Sequence, residues 1–167
     1  MDMNTTRKKN ILETLGHVLD RTVGYVCIGF AIIMTISTLV GILFRYVMVN
    51  PLPWTEELAR YAMIWMGLLA VSMGVRRESH LGLNFVVEKF PRVFQTILKY
   101  LVRILIGVFL FYLMRYGYKM ALSGMAQTAP ALRIPMVYIL GSVPVAALLS
   151  LVQLTLVTIT DLAGGRN

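Results

Sequence analysis

A chain of 167 residues suits one domain, but 57% hydrophobic and only 14% charged residues exclude an ordinary water-soluble one, where about 25% are charged. The net charge of +8 comes with no zinc-finger, RNP or other nucleic-acid signature. It reads as the basic cytoplasmic ends of a membrane protein, with no nucleic-acid partner.

Residues 1–10 are polar and basic, a cytoplasmic tail expected to be disordered. In 11–21, Ile11, Leu12, Leu15, Val18 and Leu19 recur at helical spacing, with Glu13, His17, Asp20 and Arg21 opposite. This predicts a short amphipathic helix lying in the interface, or an outward extension of the first spanning helix. Thr22–Phe44 holds 23 residues without a charge, about 34 Å of helix against a hydrocarbon core of about 30 Å. It is too long for a signal-peptide core, and Arg45 stands where a small-residue cleavage site would be, so a retained first helix is expected. The lone cysteine, Cys27, lies in this run, excludes an internal disulfide and reads as a small hydrophobe.

Pro51 and Pro53 then break the chain, because proline bars the helical conformation of the residue before it. Trp54 suits the membrane interface, and Thr55 or Trp54 opens the next helix. Glu56 and Glu57 fall in its first turn, where negative charge meets the positive end of the dipole. Glu56 and Arg60 are spaced to pair on one face. A second span is expected at about 57–75, followed by a polar connector from Arg76 to Arg92. The third span, about 97–118, carries Arg92, Thr96, Lys99 and Arg103 as one stripe, suited to phosphates, water or an acidic partner. A fourth span is expected at about 136–160, within the charge-free run Ile134–Thr160, with Pro144 marking a kink or a helix start near Gly141. The four spans form a membrane domain over 22–160, and 161–167 is a second tail. The fold class is therefore an all-α integral membrane protein with about four transmembrane helices plus the short amphipathic helix. Lys and Arg counts put both termini in the cytoplasm.

No enzyme is legible here. The two histidines, His17 and His80, sit outside the spans, which disfavours a haem held between them. No buried Ser–His or Asp pair appears, and no catalytic residue, metal or cofactor is expected. All eight acids lie at or beyond span ends, whereas ion-coupled carriers place acids inside the membrane.

The most specific local feature is Pro51-Leu-Pro-Trp-Thr-Glu-Glu-Leu-Ala-Arg60. On physics alone it is a rigid turn with an N-terminal helix cap. Arg76, Arg77 and His80 likewise read as charge that sets topology. Ser37/Gly41, Ala70/Gly74 and Ala146/Ser150 are small pairs that permit close helix approach.

Arg45-Tyr46, the run Asn50–Tyr61, Trp65, Gly74, Arg76-Arg77 and His80 together resemble the small membrane subunit of tripartite ATP-independent periplasmic (TRAP) transporters, the DctQ-like family. The likeness covers most of 20–160, and its distinctive part is Arg45–His80. It implies a non-catalytic subunit of a sodium-driven importer of carboxylate-bearing solutes in a bacterial inner membrane. It also implies two partners, a large multi-span membrane subunit that moves as an elevator and a periplasmic substrate-binding protein. The small subunit would then be a static scaffold. Arg45, Pro51, Pro53, Trp54, Glu56, Glu57, Arg60, Arg76, Arg77 and His80 become candidates for subunit or binding-protein contact. Lys99 and Arg103 become candidates for the phosphates of membrane phospholipids. The alternatives are a self-sufficient four-helix transporter or channel, and a structural assembly factor or anchor.

Overall fold

The computed structural model describes residues 3–76 and 92–163. Among the described residues five α-helices run in chain order, α1 Met3–Tyr46, α2 Pro53–Arg76, α3 Arg92–Ser123, α4 Val137–Leu140 and α5 Ser142–Ala163, with a 3-10 turn at Gly124–Ala126 after α3. Four stretches, Glu13–Tyr46, Pro53–Arg76, Phe94–Ala126 and Val137–Asp161, are long and apolar enough to cross a membrane. The protein is an all-α membrane protein, and no strand occurs among the described residues. Both ends of the described chain lie at one end of the bundle, the tail end. The α1–α2 turn and the α3–α4 loop lie at the other, the turn end.

The helices outrun the apolar stretches of the sequence. α1 has 44 residues, about 66 Å, twice the hydrocarbon thickness. It begins at Met3, where a disordered tail was expected, and continues through 11–21 without a break. No proline or glycine interrupts positions 3–15, so nothing stops the helix where the bilayer stops. Residues 11–21 thus form an outward extension of the first spanning helix, one of the two expected arrangements.

α1 ends in a turn in which Val47 and Met48 both donate to the Leu43 carbonyl, at 2.9 and 3.3 Å. Val49 takes φ 54°, a strained value for a β-branched residue. α2 opens on Pro53, whose missing N–H costs nothing at a first helical position. Pro144 is placed by the same logic in the first turn of α5. Lacking an N–H, it cannot bond the Leu140 carbonyl, and α4 stops there with Gly141 between.

α5 is the central element. It packs on α1, α2 and α3, while α1 also lies along α2. Val75 of α2, Leu110 of α3 and Leu154 of α5 form a buried cluster edged by Ile106, Leu113 and Leu151. Two buried serines bond nearby backbone: Ser72 donates to the Leu69 carbonyl of its own helix at 2.8 Å, and Ser142 at the start of α5 donates to the Ile139 carbonyl of α4 at 2.6 Å. Trp65 stacks on Phe30, centroids 5.9 Å apart, and donates to the Tyr138 carbonyl at 3.1 Å. This ties α1, α2 and α4 together.

Close approach uses small residues at chosen points. A Cβ on Gly41 would lie 2.7 Å from Thr55 Oγ1, and one on Gly117 would lie 2.9 Å from Val143 Cγ1. Ser37, beside Gly41 on the same face, is buried, as are Ala146 and Ser150. The pair Ala70/Gly74 packs on nothing: Ala70 is exposed, and no atom lies within 4 Å of a Cβ built at Gly74. The outward faces of α1 and α3, including Ile28, Ile32, Leu39, Leu105, Val108 and Phe109, are exposed apolar surface. Such faces suit lipid or other membrane helices.

Candidate functional site

Two clusters of charged side chains organise the bundle, one at each end.

At the turn end, α2 starts with two glutamates that face opposite ways. Exposed Glu56 pairs with Arg45 across the α1–α2 turn. The expected Glu56–Arg60 pairing along α2 is replaced by this one, because the proline turn folds the end of α1 back beside the start of α2. Glu57 is buried. Its Oε2 accepts the backbone N–H groups of Ala131 and Leu132, at 2.8 and 2.7 Å, and its Oε1 accepts the Tyr61 hydroxyl. Two consecutive N–H groups aimed at one carboxylate make a small anion nest.

The captured segment, 127–136, is a tight loop. Ala129 N–H bonds the Ile134 carbonyl and Met136 N–H bonds the Gln127 carbonyl, both at 2.9 Å, and Thr128 and Pro135 form an isolated bridge. Arg133, at φ 52°, makes the reversal and is exposed. Glu57 thus fixes the loop between α3 and α4 to the start of α2. Thr55, 1% exposed, donates to the Leu52 carbonyl at 2.7 Å and fits against Gly41. Around this core, Pro51, Pro53, Trp54, Arg60 and Arg133 are exposed at the turn end. Arg45, Trp54, Glu56, Glu57 and Arg60 are therefore gathered in one region.

At the tail end, Arg76 does not face solvent alone. Its guanidinium donates to Gln153 Oε1 of α5 at 3.3 Å and to the Glu13 carbonyl of α1 at 3.5 Å, and it lies against Gly16. Arg76 therefore bridges three helices. Arg77 and His80 lie outside the described residues, as does most of the connector between α2 and α3. Lys99 and Arg103 converge on Asp161 of α5, at 2.9 and 2.6 Å. Arg103 is buried, and its guanidinium lies 5.9 Å from the Tyr100 ring centroid. Of the expected basic stripe, Lys99 and Arg103 thus meet an acidic partner within the chain itself.

Asp161, Gln153 and the amides of Ala131 and Leu132 are the partners that sequence reasoning missed. Only Asp161 left a trace, as the one acid after the last apolar run. Among the described residues no group of three or more His, Cys, Asp or Glu side chains is placed to hold a metal. Half-buried Cys27 points toward the Met66 carbonyl, 3.7 Å away. The two charged clusters hold helix ends and one loop in fixed positions.

Residues 34–164 match a family model for the DctQ component of tripartite ATP-independent periplasmic transporters. The chain is 26% identical over 91 residues to a Haemophilus influenzae protein named as a TRAP transporter small permease. That alignment covers 54% of this chain and 56% of the relative, about half the length of each. The chain is 32% identical over 76 residues to the sialic acid TRAP transporter permease protein SiaT of Haemophilus influenzae, covering 46% of this chain and 12% of SiaT. It is 36% identical over 44 residues to the isethionate TRAP transporter permease protein DctMQ of Oleidesulfovibrio alaskensis, covering 26% of this chain and 7% of DctMQ.

Proposed function

The chain belongs to the DctQ component family of tripartite ATP-independent periplasmic transporters, and from that premise we propose that it is the small, non-catalytic membrane subunit of such a transporter in a bacterial inner membrane. Its work in this reading is mechanical. A large membrane subunit carries solute and sodium by sliding one part against another, and this chain widens the part that stays still.

The observation that carries the reading is where the acids are. Among the described residues, Glu13 and Asp20 precede the charge-free run of α1, Glu56 and Glu57 open α2, and Asp161 ends the last span. Glu57 is consumed by two amides and a tyrosine, Asp161 by two cations, and Glu56 by Arg45. No carboxylate among them stands in mid-membrane to bind an ion, the position a carrier needs. Rigid ties at both ends, by Glu57 and by Arg76, suit a brace.

The partner is supported by the shape of the alignments. The segment resembling this chain makes up only 12% of SiaT and 7% of DctMQ, so in those permeases it is joined to a far longer chain. The exposed apolar faces of α1 and α3 supply surface for such a neighbour and for lipid. Lys99 and Arg103 against one Asp161 leave that cluster with one net positive charge, suited to a phospholipid phosphate. The turn end faces the periplasm if both termini are cytoplasmic. Trp54, Glu56, Arg60 and Arg133 there form the surface for a solute-binding protein.

Sodium drives import in this reading, and the solutes are organic anions such as carboxylates. The relatives' names mention sialic acid, a carboxylate, and isethionate, a sulfonate. The solute is therefore selected by the partners.

The test is reconstitution. Vesicles holding this chain, its large membrane partner and the binding protein should take up solute with a sodium gradient, and omission of this chain should abolish uptake. Uptake by vesicles holding this chain alone would overturn the reading in favour of a self-sufficient transporter or channel.

A further inference from the structure

α3 and α5 touch at Gly117 and diverge beside it. A Cβ there would lie 2.9 Å from Val143 Cγ1 and 3.3 Å from Pro144 Cδ, so the helices are pinned at that point. Next to the pin an open groove of about 800 Å³ runs between them. Its walls are Phe111, Met114, Tyr118 and Leu122 from α3, and Pro144, Val145 and Leu148 from α5. Arg115 and Lys119 also line it. They are four residues apart and hence on one helix face.

Charge selects the occupant. The two cavities between α1 and α2 each contain both signs, Asp20 with Arg21 in one and Glu56 with Arg45 in the other. The α3–α5 groove contains only cations, and neither Arg115 nor Lys119 has a carboxylate partner among the described residues. Lys119 instead lies 5.8 Å from the Tyr116 ring centroid. Arg115 sits eight residues before the end of α3, about 12 Å along the axis. Long basic side chains this near the end of a span reach the phosphates of the headgroup layer. A partner helix seated by close packing would call for small side chains, and this groove is lined by long, flexible and aromatic ones.

We propose that the α3–α5 groove binds one phospholipid of the leaflet at the turn end, with an acyl chain along Phe111, Met114 and Leu148 and its phosphate held by Arg115 and Lys119. The site is distinct from the Lys99–Arg103–Asp161 cluster at the opposite end. It does not depend on the transporter reading.

The full chain, purified in mild detergent, is titrated with phosphatidylglycerol, and native mass spectrometry counts the lipid retained. One lipid should be held preferentially. Arg115→Gln with Lys119→Gln should weaken retention about thirtyfold, from roughly 1 kcal/mol per cation. Leu148→Trp, which fills the groove and leaves both cations, should weaken it too. The swap Arg115→Lys with Lys119→Arg should keep it, and so should Arg21→Gln at the tail end, each with unchanged helicity. Equal retention by all variants would overturn the proposal. So would equal retention of uncharged diacylglycerol. Cross-linking of Val145→Cys to a protein partner in the assembled complex, with no lipid retained, would assign the groove to a protein and overturn it as well.

Discussion

Glu57 reaches from the first turn of α2 to the backbone N–H of Leu132, 2.7 Å away and 75 positions later in the chain. With the Ala131 amide and the Tyr61 hydroxyl beside it, this one carboxylate sets where the loop between α3 and α4 rests. Both amides find their acceptor in this one side chain, so the position of the loop leans on the ionised carboxylate.

Replacing Glu57 by Ala should free that loop without unfolding the bundle, because the helices are held by α5. Hydrogen exchange at Ala131 and Leu132 should accelerate by roughly tenfold or more, the usual consequence of losing a charge-assisted bond. Tyr61→Phe should have a smaller effect, since both amide bonds remain. Unchanged exchange in Glu57→Ala would show that the loop holds itself.

Steric contact at the glycines gives a second expectation. Gly117→Val would drive a branched side chain into Val143 and into Pro144, whose ring and backbone nitrogen cannot swing aside. Overpacking of this kind costs about 1–3 kcal/mol, seen as a lower Tm in detergent. Gly124→Ala should behave similarly, because its Cβ would lie 3.1 Å from the Val137 nitrogen and 3.2 Å from the Met136 carbonyl carbon. Gly74→Ala meets open space and should leave Tm unchanged or raise it, alanine being the better helix former by about 1 kcal/mol.

The legible parts of the fold were those written locally. Apolar runs marked the spans, Pro51 and Pro53 marked the turn, and Pro144 with Gly141 marked the helix start. The ends of helices were not legible, because the hydropathy that signals a span stops at the membrane while hydrogen bonding along α1 continues beyond it. The site was half legible. Position alone put Glu57 at a helix N-terminus, but its partners are backbone amides of a distant loop, and backbone groups carry no sequence signal. Lys99 and Arg103 read as facing phosphates, water or an acidic partner, and that partner could not be named because Asp161, 62 and 58 positions away, was seen only as the start of a tail.

The same cluster yields a graded prediction. Arg103 is nearly enclosed at 9% side-chain exposure, whereas Lys99 and Asp161 keep 36% and 39%. Asp161→Asn strips the carboxylate from a buried guanidinium and should cost about 1–2 kcal/mol, less than a fully buried pair because water reaches one side. Lys99→Ala should cost under about 1 kcal/mol. The contribution of Lys99 should fade in high salt, and that of Arg103 should persist, as thermal unfolding in detergent at low and high ionic strength would reveal. Equal losses for the two cations would contradict the difference in burial.

Arg45 and Glu56 separate stability from partner recognition. Both are more than half exposed, so their pairing should add at most about 1 kcal/mol to the bundle. Glu56→Arg should therefore leave Tm nearly unchanged. If the turn end receives a solute-binding protein, the same change should slow association and lower uptake by the assembled transporter, because charge complementarity acts chiefly on the rate of encounter. The double exchange Arg45→Glu with Glu56→Arg restores the ion pair but reverses its direction. Restored uptake would make the pair itself the requirement, with its rigidity setting the turn. Continued loss with normal Tm would mean that a partner reads the position of each charge. Wild-type uptake in both variants, measured at low ionic strength where steering is strongest, would remove Arg45 and Glu56 from the docking surface and leave it to Trp54, Arg60 and Arg133.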